Sequence, residues 1–150
     1  MRLTMVLVLV IAAVAFSYGG IGFGTGALQV IAEEPAAPMV LTVFGGIDLG
    51  SYQVGARAVG FSWHTGYPEG EQTYVGMGLV EAGIHLDDAT LKVAGGWSDI
   101  QGSDDAGNPC YGVVWSMPLH EVPLQADLIV LESFEPSEPM LYAATMSLRF

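Results

Sequence analysis

Three histidines, His64, His85 and His120, are the side chains best suited to acid–base chemistry or metal binding near neutral pH. A catalytic histidine needs a nucleophile and an orienting acid within reach. Ser62 would share a strand face with His64, but no substrate is indicated. Asp99, Asp104, Asp105 and Asn108 crowd the segment from Ser98 to Pro109. Hard oxygen ligands of this kind hold Ca²⁺, yet their spacing lacks the alternating acids and twelfth-position Glu of an EF-hand loop. A solvated acidic loop that could attract cations is the expectation. The run Gly19-Gly20-Ile21-Gly22-Phe23-Gly24-Thr25-Gly26 suggests a phosphate loop. No Lys follows it and no helix is expected there, so neither nucleotide motif is satisfied. Alternating glycines in a strand instead leave room at a crowded lumen or allow close strand packing. Cys110 is the single cysteine, which excludes an intrachain disulfide and a multi-cysteine metal site. No base adjoins it to lower its pKa. No catalytic, cofactor-binding or metal-ligating residue is therefore assigned, and the chain is expected to be no enzyme and to need no cofactor.

The elements that would position these residues follow from composition. The chain has 150 residues, one domain's worth, of which 51% are hydrophobic and only 13% charged. That is the opposite of a disordered composition. Acids outnumber bases 16 to 4, which argues against nucleic acid and against a polybasic lipid contact. Met1-Arg2 followed by an apolar run from Leu3 to Val14 and the A-x-A site Ala13-Val14-Ala15 reads as an export signal over 1–15, with the mature domain at 16–150. An uncleaved anchor reaching Ile31 is the alternative. Cleavage would leave three bases, Arg57, Lys92 and Arg149.

Beyond the signal the pattern has period two, and Val, Thr, Tyr, Phe and Trp are spread through it. Eight strands are expected, over 20–31, 38–48, 51–63, 72–84, 89–98, 110–118, 123–134 and 140–150. In the last, Tyr142, Ala144, Met146, Leu148 and Phe150 fall on one face; Ala143, Thr145, Ser147 and Arg149 fall on the other. The same division sets Met39, Leu41, Val43 and Ile47 against Thr42, Gly46 and Asp48, and Leu91, Val93 and Trp97 against Lys92, Ala94 and Gly96. It also sets Tyr111, Val113, Trp115 and Met117 against Gly112, Val114 and Ser116, and Leu124, Ala126, Leu128, Val130 and Phe134 against Gln125, Asp127 and Ser133.

A soluble β-sandwich, secreted or periplasmic, would alternate too. The second face, however, is small and polar with a few charges, while most acids lie between strands: Glu33, Glu34, Glu69, Glu71, Asp87, Asp88, Asp99, Asp104, Asp105, Glu121, Glu135 and Glu138. An apolar exterior around a polar interior is the membrane-barrel pattern, and longer connections alternate with shorter ones as its outer loops and inner turns do. Arg57, Lys92, Arg149, Asp48 and Asp127 fall on the less apolar faces, and Glu81 joins them if the register shifts. Trp63, Tyr74, Trp97, Tyr111, Phe134 and Tyr142 would ring the outer interface; Tyr52 and Phe150 would sit at the inner one. Trp63 and Tyr74 break the alternation, sharing faces with Arg57 and Gly76, so either a bulge re-aims them or the face assignment of these strands is wrong.

With Leu141-Tyr142-Ala143-Ala144-Thr145-Met146-Ser147-Leu148-Arg149-Phe150 closing the chain, the sequence resembles the small eight-stranded outer-membrane barrels of diderm bacteria. The resemblance implies an all-β, antiparallel, up-and-down membrane barrel with a side-chain-filled lumen. It also implies partners: outer-membrane lipid, and the barrel-assembly machinery, which reads such a terminal strand as an insertion signal. The function implied is structural or loop-mediated interaction, against the alternative of a soluble binding or self-assembling sandwich.

Overall fold

The computed structural model describes residues 17–29, 38–64, 72–100, 108–119, 121–134 and 140–150. The expected signal segment 1–15, His120 and the loop acids Glu33, Glu34, Glu69, Glu71, Asp104, Asp105, Glu135 and Glu138 lie outside the described residues.

Eight strands form in chain order: β1 (Tyr18–Gln29), β2 (Met39–Asp48), β3 (Tyr52–His64), β4 (Gln72–Leu86), β5 (Ala89–Ile100), β6 (Asn108–Leu119), β7 (Leu124–Ser133) and β8 (Met140–Arg149). Each pairs antiparallel with its neighbour and β1 pairs with β8, closing the ring. Closure removes every sheet edge, so the soluble two-sheet sandwich is not the fold. Strands β5 and β6 run further than expected, which places Asp99 and Asn108 inside strands rather than in a loop.

The turns are set by local chemistry. Between β2 and β3, Gly50 adopts φ 82°, a conformation that disfavours a Cβ, and its N–H donates to Asp48 Oδ1 at 2.9 Å. Between β4 and β5, Asp87 takes φ 37°, which Asp tolerates better than most residues. The Val122 N–H donates to the Leu119 carbonyl at 3.1 Å and closes the turn into β7. These short links define one end of the barrel, the turn end. The longer connections define the other, the loop end.

Period-two alternation places the two faces as the sequence divides them. Met39 is 76% exposed, Val80 71%, Phe23 70% and Val93 64%, and all point away from the barrel axis. Arg57, Glu81, Lys92 and Asp127 point inward and are no more than 2% exposed. The outer wall is thus apolar and exposed, as in a membrane barrel, while the four buried charges stand within the lumen.

Two expectations are corrected. The β3–β4 ladder is unbroken from Tyr52–Ile84 to His64–Gln72, so no bulge re-aims Tyr74. Tyr74 points outward unaided, because the outward face of β4 is its small-residue face, Gly76, Gly78 and Ala82. For the same reason Glu81 faces the lumen without a register shift, beside Val75, Met77 and Leu79. Hydropathy alone inverts the two faces of this strand. The side chains of Trp63 and His64 lie outside the described residues.

Candidate functional site

The lumen divides into two halves. Toward the turn end it is polar. Glu81 on β4 accepts from Arg57 Nε on β3 through one oxygen, and from Lys92 Nζ on β5 through the other at 3.4 Å. Arg57 Nη1 also donates to Asp127 Oδ2 on β7 at 3.2 Å and to Thr42 Oγ1 on β2 at 3.1 Å. Asp127 accepts further bonds from Gln125 Nε2 at 2.6 Å and Ser147 Oγ at 3.2 Å. Two cations thus meet two carboxylates, and the cluster is neutral. Aromatic faces complete it: the Arg57 guanidinium lies 4.7 Å from the Phe44 ring centroid, and Lys92 Nζ lies 5.5 Å from that of Tyr18. The Tyr18 ring is admitted by small neighbours. A Cβ on Gly46 or Gly55 would sit 2.4 or 2.7 Å from its hydroxyl.

Toward the loop end the lumen is apolar. Val40, Val59, Phe61, Val75, Met77, Leu79, Cys110, Val114, Ile129, Leu131 and Leu141 form one buried cluster. Close-packed side chains fill this half as they would a soluble core. Cys110 belongs to it as a buried thiol.

At the turn-end mouth, His85 Nδ1 lies 3.0 Å from Thr90 Oγ1, and Nε2 lies 3.3 Å from Asp48 Oδ2. The order acid, imidazole, hydroxyl is that of a nucleophilic triad. Thr90 is only 7% exposed, so its hydroxyl is closed to a substrate; the three residues tie β2, β4 and β5 together at the mouth. Asp48 was expected in the lumen and instead stands at its rim, half exposed.

Among the described residues, those weighed for chemistry do not converge. Ser62 faces outward on β3, while His85 lies at the opposite end of the barrel. Asp99 faces outward on β5, and Asn108 begins β6. Among the described residues no group of three or more His, Cys, Asp or Glu could hold a metal ion. Sequence reasoning missed the apolar half of the lumen. Its members stand on the face that also carries the charges, and only the distance along each strand separates the two sets.

No family model matches the sequence, and no curated protein matches it. Solved structures do. Ail, the attachment invasion locus protein of Yersinia pestis, superimposes with a TM-score of 0.64 at 10% identity, over 89% of this chain and 97% of that one. Neisserial surface protein A gives 0.62 at 10% identity, over 88% and 93%. Ail in complex with the heparin analogue sucrose octasulfate gives 0.50 at 10% identity. The chain therefore has the fold of the small eight-stranded outer-membrane β-barrels.

Proposed function

We propose that the protein is a small, non-enzymatic barrel of the outer membrane of a diderm bacterium, acting through what its loop end presents. The inversion carries this reading: an exposed apolar wall encloses a lumen that holds the buried charges. The filled lumen argues against a wide channel. The buried hydroxyl of Thr90 argues against catalysis at the one acid–imidazole–hydroxyl set described.

The loop end is the part that faces partners in this reading. Its connecting segments contribute Glu33, Glu34, Glu69, Glu71, Asp104, Asp105, Glu135 and Glu138, and they contain no Lys or Arg. Such an end suits a basic partner or bridging cations. Ail is a structural neighbour seen with a heparin analogue, an octasulfate; the acidic segments here would repel such a polyanion. The terminal strand ending at Phe150 would serve the barrel-assembly machinery.

The test is electrophoresis of detergent-extracted protein, boiled against unboiled, with its cell fraction recorded. A faster unboiled band from the outer membrane is expected. Soluble periplasmic protein with no shift would overturn the reading. Retention on immobilised polylysine and not on heparin is expected of the loop end; the reverse would reject the charge argument.

A further inference from the structure

We propose that Phe150 and Gly19 form a clasp that holds the closing seam of the barrel shut at its turn end. This is a second role beside the insertion signal assigned above to the terminal strand.

The seam is the β1–β8 ladder, paired from Gly20–Arg149 to Gln29–Met140. On its lumenal side β1 presents Gly20, Gly22, Gly24 and Gly26. Between Gly20 and Gly26, therefore, β1 adds no side chain to the lumen. Neighbouring strands fill that space: a Cβ on Gly20 would sit 2.5 Å from Phe44 Cζ. On the outward side Ile21, Phe23 and Ala27 stand opposite Leu148, Met146 and Tyr142. In the membrane reading, on which this step rests, lipid tails replace such apolar pairs at little cost when the strands part. The seam thus relies on its backbone bonds and on any side chain seated firmly across it.

One such seat exists at the turn end. Gly19 and Phe150 exchange both backbone bonds, the N–H of each donating to the carbonyl of the other at 3.0 Å. The Phe150 ring lies over the same pair. A Cβ on Gly19 would be 3.0 Å from its Cε2 and 3.5 Å from its Cζ, so the ring edge takes the place of a side chain there. Gly19 is accordingly buried, although it shares the outward face of β1 with Ile21 and Phe23, which are 52% and 70% exposed. The backbone does not call for glycine at this position, since its φ is not positive; the ring does. An aromatic ring covering a cross-strand glycine stabilises the pair it covers. On the other side of β8, the Arg149 N–H donates to the Pro123 carbonyl at 2.8 Å and ties the strand to the turn before β7. The β1 side is left to the clasp.

The experiment separates clasp from signal by leaving out the assembly machinery. The protein is refolded into detergent micelles, and its unfolding in urea is followed as loss of the faster gel band. Phe150→Ala should unfold about threefold faster than the parent, the scale of one cross-strand pair. Met39→Ala, which removes a side chain of matched exposure, should unfold at the parent rate. Gly19→Val displaces the ring and should also unfold about threefold faster. In the Phe150→Ala background the same substitution should add nothing, because no ring remains to displace. Amide exchange should rise at Gly19 and Phe150 in both single variants and stay unchanged at Ala27 and Tyr142, the loop end of the same seam. Unfolding of Phe150→Ala at the parent rate, or an equal effect of Gly19→Val in both backgrounds, would overturn the proposal. The faster band of the parent shows in the same gel that the barrel itself has formed, which keeps that outcome distinct from failure of the membrane reading.

Discussion

Glu81 uses both carboxylate oxygens, one on Arg57 and one on Lys92, so its charge holds two buried cations at once. Glu81→Gln should cost about 3–5 kcal/mol, because it strands positive charge that water cannot reach. Urea-dependent unfolding from lipid vesicles measures this. Thr145 is the contrasting case. Its hydroxyl is buried without a partner, so Thr145→Val should change stability by less than about 0.5 kcal/mol in the same assay. An arginine there, which an open lumen would accept, is instead expected to overpack, since Thr145 is 4% exposed. The sequence shows that Lys92 faces inward because Leu91, Val93 and Trp97 alternate with it along β5. It hides Glu81, because Val75, Met77 and Leu79 make the lumenal face of β4 look like its lipid face.

At the scale of the strand, the direction of each face decides what a substitution does. Leu128 faces outward on β7 and is 50% exposed. Leu128→Arg should cost about 2–4 kcal/mol if it lies near the bilayer midplane, and should abolish the gel-shifted band. Phe150 and Met39 are matched in exposure, at 73% and 76%. Phe150→Ala should nonetheless slow assembly several-fold while Met39→Ala leaves it unchanged, measured as the rate of band-shift formation in vesicles bearing the assembly machinery. Equal rates would reject the proposed signalling role of the terminal strand. The existence and order of all eight strands are legible from period-two patterning and turn residues. The clasp is not, because Gly19 and Phe150 become neighbours only when the ring of strands closes, which hydropathy does not encode.

Across the whole molecule, the two halves of the lumen act in series. The ionic half holds its charges paired and away from water; the apolar half, from Val40 to Leu141, offers an ion little polar lining among the described residues. The folded protein should show no steady conductance in a planar bilayer. Glu81→Gln should leave that reading unchanged, since the apolar half stays packed. A stable open level in the parent would show that the apolar half parts. The bases are also confined along the barrel axis, away from the loop end. Arg57 and Lys92 lie inside at 2% exposure and Arg149 is drawn against the turn end, where its N–H donates to the Pro123 carbonyl at 2.8 Å. A protease that cuts after basic residues therefore finds Arg57 and Lys92 enclosed by the barrel and Arg149 at the turn end, and the loop-end segments hold no such site. Trypsin added from the loop side should leave the folded protein whole, and should cut the boiled chain after Arg57 and Lys92. The same placement of charge that closes the lumen makes the surface segments illegible to a whole class of digestive enzymes.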